Sequence, residues 1–312
     1  MSLYPISVSE IDFISKGVEE GFRADGRDNL LYREFSLVTG VVSQTYGSAR
    51  CRLGNVGKGT DIIVGIKAEI GNWIPGEIET ENKGKIVCNV DISPIASQFF
   101  SGRSAEDLSI ELSQLLTRTL CGPQCGIDME SLCIIPKQAY WIIYVDALVL
   151  GYDGGIIDPL FYATRAAFSD TKLPKVVVES IMDEGTNIEH QTFEIVDDAE
   201  ATSEIKGWNN IPLAVTMYAI GKRYVVDCSI EEETVSTARV TVSINSSGDI
   251  CMIQKGSSRT GFAPSLLNEI FATAKRTGIN LIASQDEQLT DLLNKKSDND
   301  LPETSSTFLN MF

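Results

Sequence analysis

The sequence contains a single histidine, His190, among its 312 residues. A mechanism that pairs a Ser or Cys nucleophile with a His base would have to use this one side chain. His190 lies in a polar, acidic stretch, which predicts a solvated loop residue. The scarcity of histidine therefore counts against a hydrolase built on a serine or cysteine triad.

Long apolar runs are also missing from the sequence. The longest covers residues 140–150 and is interrupted by Asp146, whereas a membrane-spanning helix needs about 20 apolar residues. This run predicts a buried strand. Residues 1–10 contain neither the basic nor the apolar segment of a secretory signal. We therefore expect an intracellular protein that has no membrane partner.

The cysteines lack the even number and regular spacing of a disulfide framework. There are 7 of them, scattered along the chain, which is typical of reduced thiols. Cys121 and Cys125 are four residues apart, but no second ligand pair lies near them. A zinc site at this pair competes with the simpler interpretation that both are small buried hydrophobic residues, and we favour the latter.

Positive charge is scarce, because 26 Lys and Arg stand against 43 Asp and Glu and give a net charge of −17. Nucleic-acid affinity comes largely from the release of counterions by Lys and Arg, so an isolated chain this acidic should repel a phosphate backbone. Any contact with RNA must be local, or must be made jointly with more basic partner chains.

The first part of the chain alternates between strand and helix patterns. Apolar residues at helical spacing over 8–18 predict a helix before residue 23, and Ser104 with Asp107 predicts a capping box that opens an amphipathic helix. Asp158 with Pro159 predicts the start of another helix that runs to residue 168. The predicted strands cover residues 35–45, 49–53, 60–70, 85–92, 132–135 and 140–150.

The same order of elements is then repeated after a polar stretch, 183–208, which we interpret as a boundary or a surface loop. Predicted strands at 211–220, 223–227, 239–244 and 249–254 are accompanied by a helix capped at Ser229 and a helix over 265–276. Two successive sheet-plus-helix units indicate an α+β fold. We expect an N-terminal helix in 1–22, the two units in 23–182 and 183–290, and a polar tail in 291–312.

The glycine-rich segment 54–60 superficially suggests a nucleotide-binding loop. Such a loop requires Gly-Lys followed directly by Ser or Thr, but here Gly59 separates Lys58 from Thr60. The segment also joins two predicted strands, whereas a phosphate loop joins a strand to a helix. We therefore predict a hairpin turn.

Several short motifs, taken in order, resemble the RNase PH family. They are Arg-Ala-Asp-Gly-Arg at 23–27, Gly-Ser-Ala-Arg at 47–50, Thr-Asp-Ile-Ile-Val-Gly-Ile-Lys at 60–67, Tyr-Val-Asp-Ala-Leu-Val-Leu at 144–150, and Tyr-Val-Val-Asp at 224–227 followed by three glutamates. The resemblance extends from about residue 23 to about residue 278. It implies the RNase PH fold, which is of the ribosomal protein S5 domain 2-like type, and within the family it is strongest to the ring subunits of RNA exosomes.

Active members of this family are phosphorolytic 3'–5' exoribonucleases that bind phosphate on an Asp-Gly-Gly-Thr-Arg turn at the start of a helix. The matching residues in this chain are Asp153, Gly154, Gly155, Ile156 and Ile157. Isoleucine can neither donate a hydrogen bond nor balance charge, and the loss of both donors should cost roughly four orders of magnitude in rate. The resemblance thus implies a degenerate phosphate site, no catalytic residue and a chain that is not an enzyme.

Active members also use two carboxylates six residues apart to hold a divalent metal. Asp227 and Glu233 match these positions, which makes them candidates for a relict metal site. The competing interpretation is that Asp227 closes a strand and that Glu233 belongs to the first turn of a helix, where the helix dipole favours acids. We favour the second interpretation and expect neither a metal nor another cofactor.

Ring subunits of this type place arginines toward an RNA path, and the matching candidates here are Arg103 and Arg118. A second arginine expected near Arg118 aligns roughly with Cys121, which weakens the match. Each candidate could equally be an ordinary solvated or salt-bridged surface charge.

The resemblance implies a six-membered ring of RNase PH-like chains, with a neighbour of the forty-one type that carries the phosphate site. Cap proteins with S1 or KH domains would cover the ring, RNA would be bound through the assembled complex, and the complex would work in the nucleus, nucleolus and cytoplasm. Two alternatives stay open. One is an active phosphorolytic exoribonuclease, and the other is a scaffold on the same fold that has no role with RNA.

Overall fold

A computed structural model describes residues 5–55, 57–74, 82–97, 100, 102–122, 124–182, 189–196, 202–256, 261 and 264–298. The described helices are α1 (Val8–Glu20), α2 (Arg103–Leu120), α3 (Ile157–Asp170), α4 (Ile230–Val235) and α5 (Pro264–Asp298). None of these helices is long and apolar enough to cross a membrane.

The strands of the first half are β1 (Phe35–Thr39), β2 (Gly47–Asn55), β3 (Lys58–Asn72), β4 (Lys85–Ile92), β5 (Cys133–Ile135) and β6 (Ala139–Gly151). They form one sheet in the order β1-β2-β3-β6-β4, in which β5 also pairs with β6. All neighbours are antiparallel except β4 and β6, which are parallel. Helix α3 packs against β2 and β3, and α2 packs against β4.

The remaining strands are β7 (Lys172–Pro174), β8 (Val176–Met182), β9 (Glu189–Ile195), β10 (Thr202–Glu204), β11 (Leu213–Ile220), β12 (Arg223–Val226), β13 (Ala238–Ile244) and β14 (Ile250–Lys255). The last four form an antiparallel sheet in the order β12-β11-β13-β14, against which α5 packs. The predicted α+β fold with two successive sheet-plus-helix units is therefore confirmed. The predicted hairpin at 54–60 is also confirmed, because this segment joins β2 to β3.

Burial along β6 follows from the pleat of a strand, whose side chains alternate between two faces. Val145, Ala147 and Val149 are buried in the main core, whereas Asp146 and Leu148 are exposed on the other face. The apolar run at 140–150 thus forms the predicted buried strand. Asp146 does not interrupt it, because its carboxylate lies on the solvent side.

Helix α5 contacts two separate cores. Its N-terminal half contributes Ile270 and Ala274 to the core of the second sheet, and its C-terminal half contributes Ile282 and Leu289 to the main core. Between Ile282 and Leu289, the side-chain amide of the buried Gln285 donates to the Tyr162 carbonyl at 2.7 Å. One helix therefore joins the two units.

The predicted end of this helix at residue 276 needs correction, because α5 continues through Asp298. It therefore includes the first part of the predicted tail at 291–312. A Cβ added at Gly278 would lie 2.9 Å from a side-chain carbon of Ile244. This glycine lets the helix pass close to β13, and the buried positions continue beyond it. Residues 299–312 lie outside the described residues.

Three further expectations need correction. The polar stretch at 183–208 contains β9, which pairs with β8, and β10, which pairs with β7. A two-stranded ribbon needs little apolar periodicity, so composition alone did not predict it. His190 accordingly lies in a strand, and its side chain is outside the described residues. The capping box at Ser104 is absent, because α2 begins at Arg103 behind Gly102 without a side-chain cap.

Candidate functional site

The turn at 153–157 lies between β6 and α3 and packs against the segment that precedes α4. Gly154 has φ +84°, and a Cβ at this position would lie 2.2 Å from the Cys228 carbonyl oxygen, so only glycine fits there. The Thr60 hydroxyl donates to the Gly154 carbonyl at 2.6 Å and accepts from the Asp153 amide at 3.2 Å. The turn is therefore held on one side by β3 and on the other by the second unit.

Ile156 and Ile157 belong to the main hydrophobic core and are only 7% and 3% exposed. No side chain caps the start of α3, where Ile156 is the N-cap residue. These two positions therefore supply neither a hydroxyl nor a cation to the turn. They supply buried apolar surface, which stabilises the packing of α3 against the sheet.

Asp227 lies at the centre of an ion-pair network beside this turn. Its side chain is fully buried, and its carboxylate oxygens accept from Nη1 of Arg27 at 2.7 Å, from Nη2 of Arg33 at 2.7 Å and from the Arg33 backbone amide at 2.7 Å. Nη1 of Arg33 also lies 3.1 Å from the Asp153 carboxylate. Burial alone would lower the pKa of Arg33, but hydrogen bonds and the charge of Asp227 raise it. Two permanent cations thus neutralise Asp227.

Glu233 approaches the same turn from the first turn of α4. Its carboxylate accepts from the Gly155 amide at 3.1 Å and from the Tyr152 hydroxyl at 2.8 Å, and it lies 3.7 Å from Nη1 of Arg239. Burial and the nearby Glu233 charge raise the pKa of Tyr152 well above its usual value, so the phenol stays a donor. Both acidic candidates are therefore adjacent to the glycine turn.

A divalent metal does not fit these two carboxylates as they are arranged. The guanidinium groups of Arg27 and Arg33 already occupy both oxygens of Asp227, and a second cation beside them would be repelled. Across the described part of the chain, no group of three or more His, Cys, Asp or Glu side chains could hold a metal ion. The ion-pair interpretation of Asp227 explains its geometry without a cofactor.

The N-terminal Arg-Ala-Asp-Gly-Arg motif is part of the same network. Nε of Arg23 lies 2.9 Å from the buried Glu232 carboxylate, and Nη2 of Arg23 donates to the Asp227 carbonyl at 2.7 Å. Asp227 has φ +47°, a left-handed conformation that Asp tolerates better than most residues. These contacts lock the segment before β1 onto the second unit.

A cavity of about 840 Å³ opens next to the network. Its lining carries both signs of charge, since it includes Arg27, Arg33 and Lys58 as well as acidic residues such as Asp153 and Glu231. Because Arg27 and Arg33 are already paired, the cavity offers an incoming anion little uncompensated positive charge. The arrangement can hold the turn and the two units together, but it lacks the cationic donors that a reacting phosphate requires.

Arg103 and Arg118 lie on the exposed side of α2, away from this network. They are 15 residues apart, which corresponds to about 22 Å along the helix and about 60° around it. Neither forms an ion pair with any residue that the structure describes. The opposite face of α2 packs into the main core through four leucines, namely Leu112, Leu115, Leu116 and Leu120.

The cysteine pair considered for zinc differs in exposure. Cys121 is exposed, whereas Cys125 is buried, and all described cysteines are free thiols. Burial raises the pKa of the Cys125 thiol to about 11. Since zinc binds the thiolate, a thiol that resists deprotonation is a poor ligand.

Tyr152, Arg33 and Arg239 were not predicted as site residues. Arg33 and Arg239 belong to none of the recognised motifs. Arg33 pairs with Asp227 across 194 residues, and Arg239 donates to Glu111 across 128 residues. Tyr152 directly precedes the turn, so its position was the one available signal.

Comparisons with known proteins agree with this architecture. Residues 31–174 match the model of the 3' exoribonuclease family, domain 1, and residues 210–277 match that of domain 2. A Dictyostelium discoideum protein whose name includes "exosome complex exonuclease RRP42" is 34% identical over 93% of this chain and 99% of its own length. "Exosome complex component Rrp42" of Methanothermobacter thermautotrophicus is 36% identical over 75% of this chain and 79% of its own length.

Among solved structures, the chain is similar to one described as "archaeoglobus fulgidus exosome with RNA bound to the active site". The TM-score is 0.72 and the identity is 24%, over 88% of this chain and 97% of the other. Both halves of the fold and most of the sequence therefore lead to one assignment. The chain belongs to the 3' exoribonuclease family and has the RNase PH fold.

Proposed function

We propose that this chain is a non-catalytic, RNase PH-like ring subunit of an RNA exosome that supports 3'–5' RNA processing and degradation. The observation that carries the proposal is the turn at 153–157, whose two donor positions are isoleucines packed into the core. The names of the Dictyostelium and archaeal relatives support membership of an exosome. The subunit contributes structure to the particle, and a neighbouring chain performs the chemistry.

The proposed partners are other RNase PH-like chains in a six-membered ring, including a forty-one-type neighbour that carries a complete phosphate site. Cap proteins with S1 or KH domains cover one face of this ring, and RNA passes through it. A net charge of −17 favours this arrangement over independent RNA binding, because basic neighbours supply the attraction that the chain lacks. Nucleus, nucleolus and cytoplasm are the compartments in which such a complex works.

Within the ring, Arg103 and Arg118 are the proposed RNA contacts of this subunit. Both are exposed and lie on similar sides of α2, so they could contact phosphates about 22 Å apart. Arginine binds phosphate through two parallel hydrogen bonds, which suits this role. Asp227 and Glu233, by contrast, serve to hold the fold together and do not bind a metal in this proposal.

Co-expression with candidate RNase PH-like partners, followed by native mass spectrometry, tests the proposal. We expect a six-chain ring and no phosphate-dependent release of nucleoside diphosphates from RNA by this chain alone. Release by the isolated chain would instead identify an active phosphorolytic exoribonuclease. Failure to associate with any such partner would favour a scaffold without a role in RNA decay.

A further inference from the structure

The C-terminal end of helix α2 lies against strand β14, and this α2–β14 seam joins the first unit of the fold to the second. The Thr119 hydroxyl of α2 lies 3.2 Å from the Met252 sulfur of β14. At the end of the seam, the Cys251 thiol of β14 donates to the Gln124 carbonyl, with the sulfur 3.5 Å from the oxygen. The seam therefore brings a cysteine of the second unit to the loop that follows α2.

Cysteines are concentrated around this seam. Four of the 7 lie there, namely Cys251 on β14, Cys125 in the loop after α2, Cys121 at the end of α2 and Cys88 on β4. Cys88 and Cys125 are buried in the main core, whereas Cys251 is partly exposed. Cys125 directly follows Gln124, the residue that Cys251 contacts. A partly exposed thiol of one unit thus lies next to a buried thiol of the other.

We propose that Cys125 and Cys251 form a reversible disulfide when the chain meets a peroxide, and that this bond ties the loop after α2 to β14. The Cys251 sulfur attacks a peroxide oxygen, so an S–O bond forms, the O–O bond breaks, and the leaving hydroxide takes a proton to become water. The Cys125 sulfur then attacks the resulting sulfenic acid, so the S–S bond forms, the S–O bond breaks, and a second water leaves. Two thiols lose two electrons and two protons, and hydrogen peroxide is reduced to two water molecules.

The surroundings of the two sulfurs assign the order of these steps. Burial raises the pKa of Cys125 to about 11, although the Ile127 amide opposes this effect. Burial also raises the pKa of Cys251, and the Asn245 amide opposes it there. Because the thiolate is the nucleophile, oxidation should be slow at neutral pH and should accelerate as pH rises. Cys251 is the more accessible of the two, so the oxidant reaches it first and Cys125 completes the bond.

Cys121 and Cys88 are the competing partners for Cys125. The charge of Cys251 raises the pKa of Cys125 more than that of Cys121 does, as expected for a nearer sulfur. Burial raises the pKa of Cys88 to about 12, which makes it the least reactive of the group. A bond from Cys125 to Cys121 would also stay within one segment of chain, whereas the bond to Cys251 joins the two units.

The test is peroxide treatment of the folded full chain, followed by alkylation of the remaining thiols and mass spectrometry of unreduced peptides. We expect the wild type to lose two of its 7 thiols and to yield a peptide cross-linked between positions 125 and 251, which dithiothreitol separates. Oxidation should also raise the urea midpoint, since the bond closes a long loop and constrains the unfolded chain. Cys251→Ser should show neither effect. Cys121→Ser is the matched control and should retain both.

Three results would overturn the proposal. They are a folded wild type that keeps all 7 thiols in peroxide, a disulfide that persists in Cys251→Ser, and a cross-link that disappears in Cys121→Ser. Cys125→Ser should lose the cross-link as well, but its position is buried. If that variant does not fold, Cys251→Ser and Cys121→Ser still decide the pairing, because both positions are more exposed. The measurement needs neither RNA nor a ring partner, so its outcome is independent of the proposed function.

Discussion

Replacement of Asp227 by Ala should strongly destabilise the chain, because this carboxylate is the shared counter-ion of Arg27 and Arg33. Removing one partner of a buried ion pair costs about 3–5 kcal/mol. The lower end applies here, since Arg27 retains Asp25 at 2.6 Å and Arg33 retains Asp153 at 3.1 Å. Alanine in the left-handed conformation at φ +47° adds about 1 kcal/mol. We expect a total loss of about 4 kcal/mol.

Urea unfolding measures this loss directly, provided that the dependence of the unfolding free energy on urea stays the same in wild type and variant. Asp227→Asn should lose about half as much, because asparagine tolerates the left-handed conformation and still accepts hydrogen bonds. Asp25→Ala is the control: it removes an exposed partner of the same Arg27, and the change should stay below about 1 kcal/mol.

A change below about 1 kcal/mol for Asp227→Ala would refute the ion-pair interpretation. The ion-pair interpretation would also be refuted if Mn²⁺ stabilised the wild type against urea but did not stabilise Asp227→Asn. That result would show that the carboxylate binds a metal in preference to the two guanidinium groups.

Three further predictions concern other parts of the molecule. Burial raises the pKa of Asp158 to about 6. Between about pH 4 and 6 the folded chain therefore binds more protons at this carboxyl than the unfolded chain does. The contribution of Asp158 to the free energy of unfolding accordingly falls as pH rises through that window. Relative to Asp158→Asn, the wild type should lose about 2–3 kcal/mol between pH 4 and 7, and equal pH dependence of the urea midpoints would contradict this. Gly154→Ala should lower the free energy of unfolding by more than about 3 kcal/mol, because its Cβ would clash with the Cys228 carbonyl. Gly57→Ala, at φ +87° in open space, is the control and should lower it by about 1 kcal/mol. Equal urea midpoints for the two variants would exclude the clash. Arg118→Ala should weaken RNA binding by the assembled ring and reduce the slope of log affinity against log salt by about one, and an unchanged slope would exclude Arg118 as a phosphate contact.

The elements of the fold could be predicted from the sequence because their periodicity is local. Strand β4 was predicted with its observed bounds, and the helix cap was found at Ser229 as expected. The prediction for α5 was wrong beyond residue 276, since Gly278 signals a helix end unless the neighbouring β13 is known to pass close by. A glycine that breaks a helix and a glycine that permits close packing look alike in sequence.

The residue types of the candidate site were predicted from the sequence, but their ion-pair and hydrogen-bond partners were not. The glycine turn, Asp227 and Glu233 were all identified, and the structure places them side by side. The partners that decide their chemistry could not be identified, because Arg33 reaches Asp227 across 194 residues. Ion-pair partners so far apart in sequence leave no periodic signal in a single chain.

Helix α5 has a mechanical consequence for the molecule. Its 35 residues extend about 50 Å at 1.5 Å per residue, and its two halves are embedded in different cores. Any hinge motion between the two sheets would have to drag apolar side chains through close-packed interiors at both ends, which such interiors resist. Helix α5 therefore fixes the angle between the sheets before any neighbour binds. The curvature that this chain imparts to an assembly is thus a property of the free monomer.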